Sequence, residues 1–331
     1  MPRKQSDEQA GIIQKIMTIF PHIDQDEATR LYEAAQKGGE ISRFGSIDEW
    51  LERKVKFGGV TLDQEDYLVA LTHALRLAPF LAGTDFGTTR QRDLGQLWTD
   101  VTKGFLGEIG VAKFIKRRFG YEVILDYSKG PLEDYLASDI KQIRLPNGNT
   151  LDPRFNISIK TTKFSGVWLD IPGAQFEHSE VFVLVKLGIT RSHFIAFLKS
   201  ISFLRDKLLP TALASGVIND SEAERLWESL PTFNPIPCYV VGFLDKRNVP
   251  SVVPKFKTES KATSVKYVMQ EYVGWVKGGK PEQIDDALSN SQWEFESIRN
   301  FSPSPHFVAN VGLLAYSEDD WKRLLRDLAG G

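Results

Sequence analysis

The sequence is poor in the residues that build covalent or cofactor frameworks. Its 331 residues include one cysteine, Cys238, so neither an internal disulfide nor a cysteine-cluster zinc site can form. That thiol lies in the apolar run from Pro235 to Leu244, where a buried core cysteine is expected. No apolar run approaches the roughly 18 residues that span a bilayer, and the first eleven residues are polar, with no secretory apolar segment. A cytoplasmic protein without membrane contact is expected. Neither sign of charge dominates: 41 basic side chains against 43 acidic ones leave a formal charge of −2. There is no phosphate-binding Walker loop, no GxGxxG unit opening a helix and no GxSxG elbow, which argues against a nucleotide cofactor and against serine-hydrolase chemistry. His22, His73, His178, His193 and His306 have no metal-ligand spacing and read as ordinary core or surface histidines. Internal repeats and low-complexity tracts are absent.

What remains, 42% apolar and 25% charged, is the composition of a globular chain large enough for one big domain or two modest ones. Ile12, Ile13, Ile16, Met17, Ile19 and Phe20 form a helical stripe ended by Pro21. Further helical patterns begin near Asp24 and Ser46, and a fourth runs from Gln64 to a stop before Pro79. Residues 1–82 are therefore expected to form an N-terminal helical subdomain, with a boundary near Gly83 and Gly87 and a second domain over 83–331. That second part opens with a long helix, about Arg92 to Phe119. Strand patterns follow at 120–126, 138–145, 155–164 and 179–186, with a turn at Pro146–Asn149 that predicts an antiparallel hairpin between the second and third. A helix near 219–229 and a strand at 238–244 come later. The order predicts an α/β (α+β) fold with a mixed central sheet flanked by helices. From Lys246 to Lys266, six basic residues face only Glu259 and the preceding Asp245, and two prolines break the pattern, so a basic loop is expected, either solvated or in contact with a polyanion.

Three positions carry chemistry. Val101, Phe105, Glu108, Ala112, Ile115 and Phe119 share one helical face, which puts a carboxylate inside an apolar stripe. A carboxylate so placed must find a cation, a metal ion or a water-filled cleft. Gly107 and Gly110 beside it permit close approach by another backbone or a ligand. In the strand at 155–164, alternation sets Ile157, Ile159 and Thr161 on one face and Ser158, Lys160 and Thr162 on the other. A mid-strand lysine can orient a water, stabilise a developing phosphate charge or pair with an acid. Asp139 opens the neighbouring strand. Two strand residues and one helix acid would then offer the oxygen donors of a hard divalent ion, completed by waters and a phosphate.

Glu108 within GlyGluIleGly, Asp139 after Ser138, and Lys160 two residues after Ser158 together resemble the PD-(D/E)xK nuclease superfamily, over residues about 90 to 190. The helix around Glu108 looks like the first helix of several type II restriction endonucleases. The resemblance implies a restriction-endonuclease-like fold and a homodimer cutting double-stranded DNA at a short site. It implies Mg²⁺, with Mn²⁺ as the alternative ion, held by Asp139 and Glu108; Ser158 and Lys160 complete the catalytic set, Lys160 acting on the attacking water. Ser138 replaces the family's proline, and Ser158 stands where an acid is expected. The second acid must therefore come from elsewhere: from Glu108, or from Glu177 or Glu180 in the later segment. Lys163, Trp168, Arg90, Arg92, Lys255, Lys257 and Lys261 are the expected DNA contacts. Two other functions stay open: a structure-specific repair or recombination nuclease of the same fold, and a catalytically silent DNA-binding protein.

Overall fold

The computed structural model describes residues 7–82, 93–127, 138–249, 255–261, 264–277, 280–281, 292–294 and 304–330. Helices α1 (Asp7–Ile19) and α2 (Gln25–Lys37) come first, α2 capped by Asp24, whose carboxylate accepts the Glu27 N–H at 2.7 Å. α3 (Ile47–Trp50) and α4 (Lys56–Gly58) are joined through a widened helical turn at Leu51–Val55, and strand β1 (Gly59–Leu62) follows directly. The long helices are α5 (Gln64–Ala82), which runs through Pro79 rather than stopping before it, and α6 (Leu94–Phe119). Asp93 caps α6, Lys116, Arg117 and Arg118 sit in its last turn, and Gly120 ends it in the left-handed conformation at φ 74°.

Strands β2 (Glu122–Leu125), β3 (Ile140–Arg144) and β4 (Thr150–Leu151) form a small antiparallel sheet. β5 (Ile157–Lys163), β6 (Trp168–Pro172), helix α7 (Gly173–His178) and β7 (Val181–Leu187) come next, then α8 (His193–Ser200), α9 (Leu209–Ala214) and α10 (Asp220–Ser229). β8 (Ile236–Asp245) is followed by β9 (Lys255–Lys261), β10 (Ser264–Glu271), β11 (Val273–Lys277), β12 (Lys280–Pro281), β13 (Gln292–Glu294), β14 (His306–Asn310) and the terminal helix α11 (Glu318–Ala329). The fold is mixed α/β, with parallel and antiparallel strands.

The central sheet has the order β1-β8-β7-β5, antiparallel except for the parallel pair β5 and β7. β7 and β8 are buried on both faces. On β7, Val181, Val183, Val185 and Leu187 pack into a core with Phe105, Ile109 and Phe114 of α6 and Trp321 and Leu325 of α11. Phe182 and Leu184 point the other way, into a second core with α1, α2, Trp50 and the sheet β12-β11-β14-β6. Helices of segment 7–82 thus share cores with the central sheet, and β1 within that segment is one of its strands.

Two local expectations are corrected. The turn at Pro146–Asn149 exists, with Leu145 N–H donating to Asn149 O at 2.8 Å, but it closes β3 onto the two-residue β4. β5 takes β7 as its ladder partner in parallel. Part of the basic stretch expected as loop is strand, in β9 and β10, which pair antiparallel. Among the described residues no helix is long and apolar enough to cross a membrane.

Candidate active site

The site forms where the small sheet meets the edge strand β5. Ser138 and Asp139 make the splice. The Asp139 N–H donates to Ile157 O at 2.9 Å, and the Ser138 hydroxyl accepts the N–H groups of Ile140 and Ile157, each at 3.3 Å. A serine in place of proline therefore has a structural use here. The bond returned by β5 fixes the acid itself, because the Ile159 N–H donates to Asp139 Oδ2 at 2.5 Å. The Ser158 hydroxyl also bonds the Asp139 carboxylate. Ser158, which stands where an acid was expected, thus orients the acid that is present.

Glu108 reaches the same place from α6. That helix lies against β5 because Gly107 has no side chain: a β-carbon there would overlap the Thr161 hydroxyl. Gly110 does the same against Cys238 of β8. Glu108 Oε2 is sealed from solvent and has no hydrogen-bond partner. Burial first, then the charges of Asp139 and Asp126, hold the Glu108 carboxyl well above the usual carboxylate range, against the opposing pull of Lys160. Burial also raises the Asp139 carboxyl, although the Ile159 N–H, Lys160 and Ser158 counteract it. Lys160 is pushed the other way: burial lowers its amine from the ordinary value, while Asp139, Glu108 and Asp170 resist that change. Its ammonium donates to Gln175 Oε1 of α7.

The structure thus brings Glu108, Asp139, Ser158 and Lys160 together. It does not bring Glu177 or Glu180 among the charges acting on Lys160. Glu180 is engaged elsewhere, its carboxylate accepting the Asn156 N–H at 2.8 Å, and Glu177 lies in the last turn of α7. Lys163 and Trp168 line a cleft beside the cluster. Lys255, Lys257 and Lys261 belong to β9, and Arg90 and Arg92 lie outside the described residues.

Sequence reasoning missed Asp126, Asp170, Gln175 and His306. Asp126 follows β2, and its N–H donates to Asp139 O at 3.0 Å, making it the cross-strand neighbour of Asp139. An acid directly after the apolar strand 122–125 was the available signal. Asp170 of β6 is bonded at 2.7 Å to His306 Nδ1 of β14, the adjacent strand. Burial raises the Asp170 carboxyl, and His306 moderates the rise. Only tertiary pairing puts these groups near Lys160.

Among the described residues no group of three or more His, Cys, Asp or Glu side chains forms a ready-made metal cage. The donor set nonetheless suits a hard divalent ion such as Mg²⁺, which takes one or two carboxylates and draws its other ligands from water and phosphate. Two half-buried acids both raised by burial, with Asp139 raising Glu108 further and one Glu108 oxygen unpartnered, are what such an ion would relieve. No protein-family model, curated protein or solved structure matches the chain.

Proposed function

We propose that the protein is a divalent-cation-dependent endonuclease of the PD-(D/E)xK type that hydrolyses phosphodiester bonds in double-stranded DNA, as site-specific restriction enzymes do. The observation that carries this reading is the convergence of the half-buried Glu108 and Asp139 on Lys160, with Glu108 Oε2 sealed from solvent and unpartnered. Groups perturbed by burial together with a specific charge partner cluster at functional sites.

Asp139 and Glu108 would hold the ion. Bound there, Mg²⁺ or Mn²⁺ would neutralise charge on the phosphate and acidify a coordinated water. Ser158 and the Ile159 N–H keep the Asp139 carboxylate in one orientation. Lys160, drawn toward the neutral amine by burial and held by Gln175, orients the attacking water and accepts its proton. The 3′ oxygen leaves in line. A palindromic target requires two copies of the site, hence the homodimer in this reading, and the cytoplasm is the compartment this reading assigns.

Incubation of supercoiled plasmid with the full chain tests the proposal. Mg²⁺ should support cleavage into discrete fragments, EDTA should stop it, and Asp139→Ala or Lys160→Ala should abolish it. Cutting that persists unchanged in both variants would remove the assignment.

A further inference from the structure

Beside the acid and lysine cluster, at the carboxyl ends of the parallel strands β5 and β7, lies a cleft of about 490 Å³. Two of the elements that supply the cluster, α6 and β5, also line this cleft, and β6, which carries Asp170, adds to it; the segment that carries Asp139 does not. On α6, Lys103 lies five residues before Glu108; on β5, Thr161, Thr162 and Lys163 follow Lys160; and Trp168 stands two residues before Asp170 on β6. The turn between β5 and β6 is drawn tight by the Gly166 N–H, which donates to Lys163 O at 2.9 Å, so that Lys163 and Trp168 face one space. Cleft and cluster are neighbours along α6, β5 and β6.

The lining has two characters. Val167, Trp168, Leu187 and Ile189 give apolar wall, whereas Lys103 and Lys163 bring ammonium groups and Thr162 and Ser165 bring hydroxyls. Lys163 and Ser165 are exposed at the rim, and Lys103 is tethered to Asp100 at 2.9 Å. An apolar wall carrying an indole suits the flat face of a nucleobase, and ammonium groups with hydroxyls suit its phosphate. The space is that of a small-ligand pocket and is too small to admit a duplex.

We propose that this cleft receives a single unstacked nucleotide of the substrate strand, its base against Trp168 and its phosphate between Lys103 and Lys163. The proposal rests on the nuclease reading and deepens it: the strand is opened by one nucleotide beside the phosphate that the cluster attacks. The energy of unstacking is offset by stacking on the indole.

The test measures binding without cleavage, in EDTA, using the single-stranded oligonucleotide dT10 and free dTMP as probes. The full chain should bind dT10 with quenching of tryptophan fluorescence. Trp168→Phe should lose that quench against the background of the other six of the seven tryptophans, and should bind roughly tenfold more weakly. Lys163→Glu, at the exposed rim, should weaken dT10 binding at least as much without touching a core, so a folding defect at Trp168 does not blunt the test. Unchanged affinity in both variants overturns the cleft while leaving plasmid cleavage, and so the nuclease reading, standing. Free dTMP binding as tightly as dT10 overturns it too, because the cleft would then hold a loose nucleotide and not part of a strand. A chain that neither cuts plasmid nor binds dT10 overturns both.

Discussion

Gly107 and Thr161 touch so closely that a β-carbon on the glycine would overlap the threonine hydroxyl. Helix α6 and edge strand β5 are in contact there through the Thr161 side chain, whose hydroxyl reaches the Gly104 carbonyl at 3.5 Å. The contact sets how far Glu108 projects toward Asp139 and Lys160. Gly107→Ala should force the helix outward, destabilise the protein by about 1–3 kcal/mol through overpacking, and lower cleavage far more than that loss alone explains. Urea unfolding and plasmid cleavage on the same preparation check it. An alanine variant with normal activity would mean that the spacing is not what positions the acid.

The site should weaken the fold. Glu108 and Asp139 have folded-state values raised above their ordinary ones, chiefly by burial. Groups shifted upward favour folding below their unfolded values, near 4.5 and 3.8, and that contribution is lost as pH rises through the folded values. At pH 7 without metal both carboxylates are therefore a burden. Glu108→Gln should raise stability at pH 7 in EDTA by about 0.5–2 kcal/mol while abolishing cleavage, and the gain should vanish toward pH 4. Denaturant midpoints at the two pH values decide the matter; a less stable Glu108→Gln at pH 7 contradicts it.

Much of this site was legible because its signals are local. Glu108 stood out as a charge in an apolar helical stripe, and alternation in the strand at 155–164 put Ser158 and Lys160 on one face. Partners of those residues were less legible. Apolar alternation makes a strand without naming its neighbour, so the turn at 146–149 implied pairing with β5, whereas the ladder chose β4. His306 reads as an ordinary histidine until β14 aligns with β6 and brings it to Asp170, 136 positions away in sequence. Glu40 gave no signal at all. It gains its role only when three distant segments close over it.

That role is tested at Glu40 itself. Its carboxylate is fully buried, 3.5 Å from Lys54 Nζ and 3.2 Å from Lys186 Nζ, and accepts the Tyr239 hydroxyl at 2.8 Å. Burial alone would raise it, but the two ammonium groups and the tyrosine hold it at about 2. A carboxylate depressed in this way stabilises the fold above its unfolded value, near 4.5, and loses that contribution as pH falls toward about 2. Glu40→Gln should cost roughly 3–5 kcal/mol at pH 7, because it strands two buried lysines. Adding Lys186→Met should recover part of the loss. Chemical denaturation of the single and double variants checks both; a single variant within about 0.5 kcal/mol of the parent would show that the buried charges are already neutral.

Metal linkage separates the two half-buried acids from a purely structural pair. If Asp139 and Glu108 hold a divalent ion, the folded chain binds it and the unfolded chain does not, so stability rises with the logarithm of its concentration once the dissociation constant is exceeded. At an Mg²⁺ concentration one hundred times that constant, the gain would be about 2.7 kcal/mol. The parent chain should therefore melt at a higher temperature in Mg²⁺ than in EDTA, whereas Asp139→Asn and Glu108→Gln should melt at temperatures that Mg²⁺ does not change. Binding also draws on the same electrostatic strain that Glu108→Gln relieves, so the variant that gains most in EDTA should be overtaken by the parent as Mg²⁺ is added. Differential scanning across a magnesium series reads both effects. Parallel curves for parent and variants would leave the two carboxylates without an ion to share.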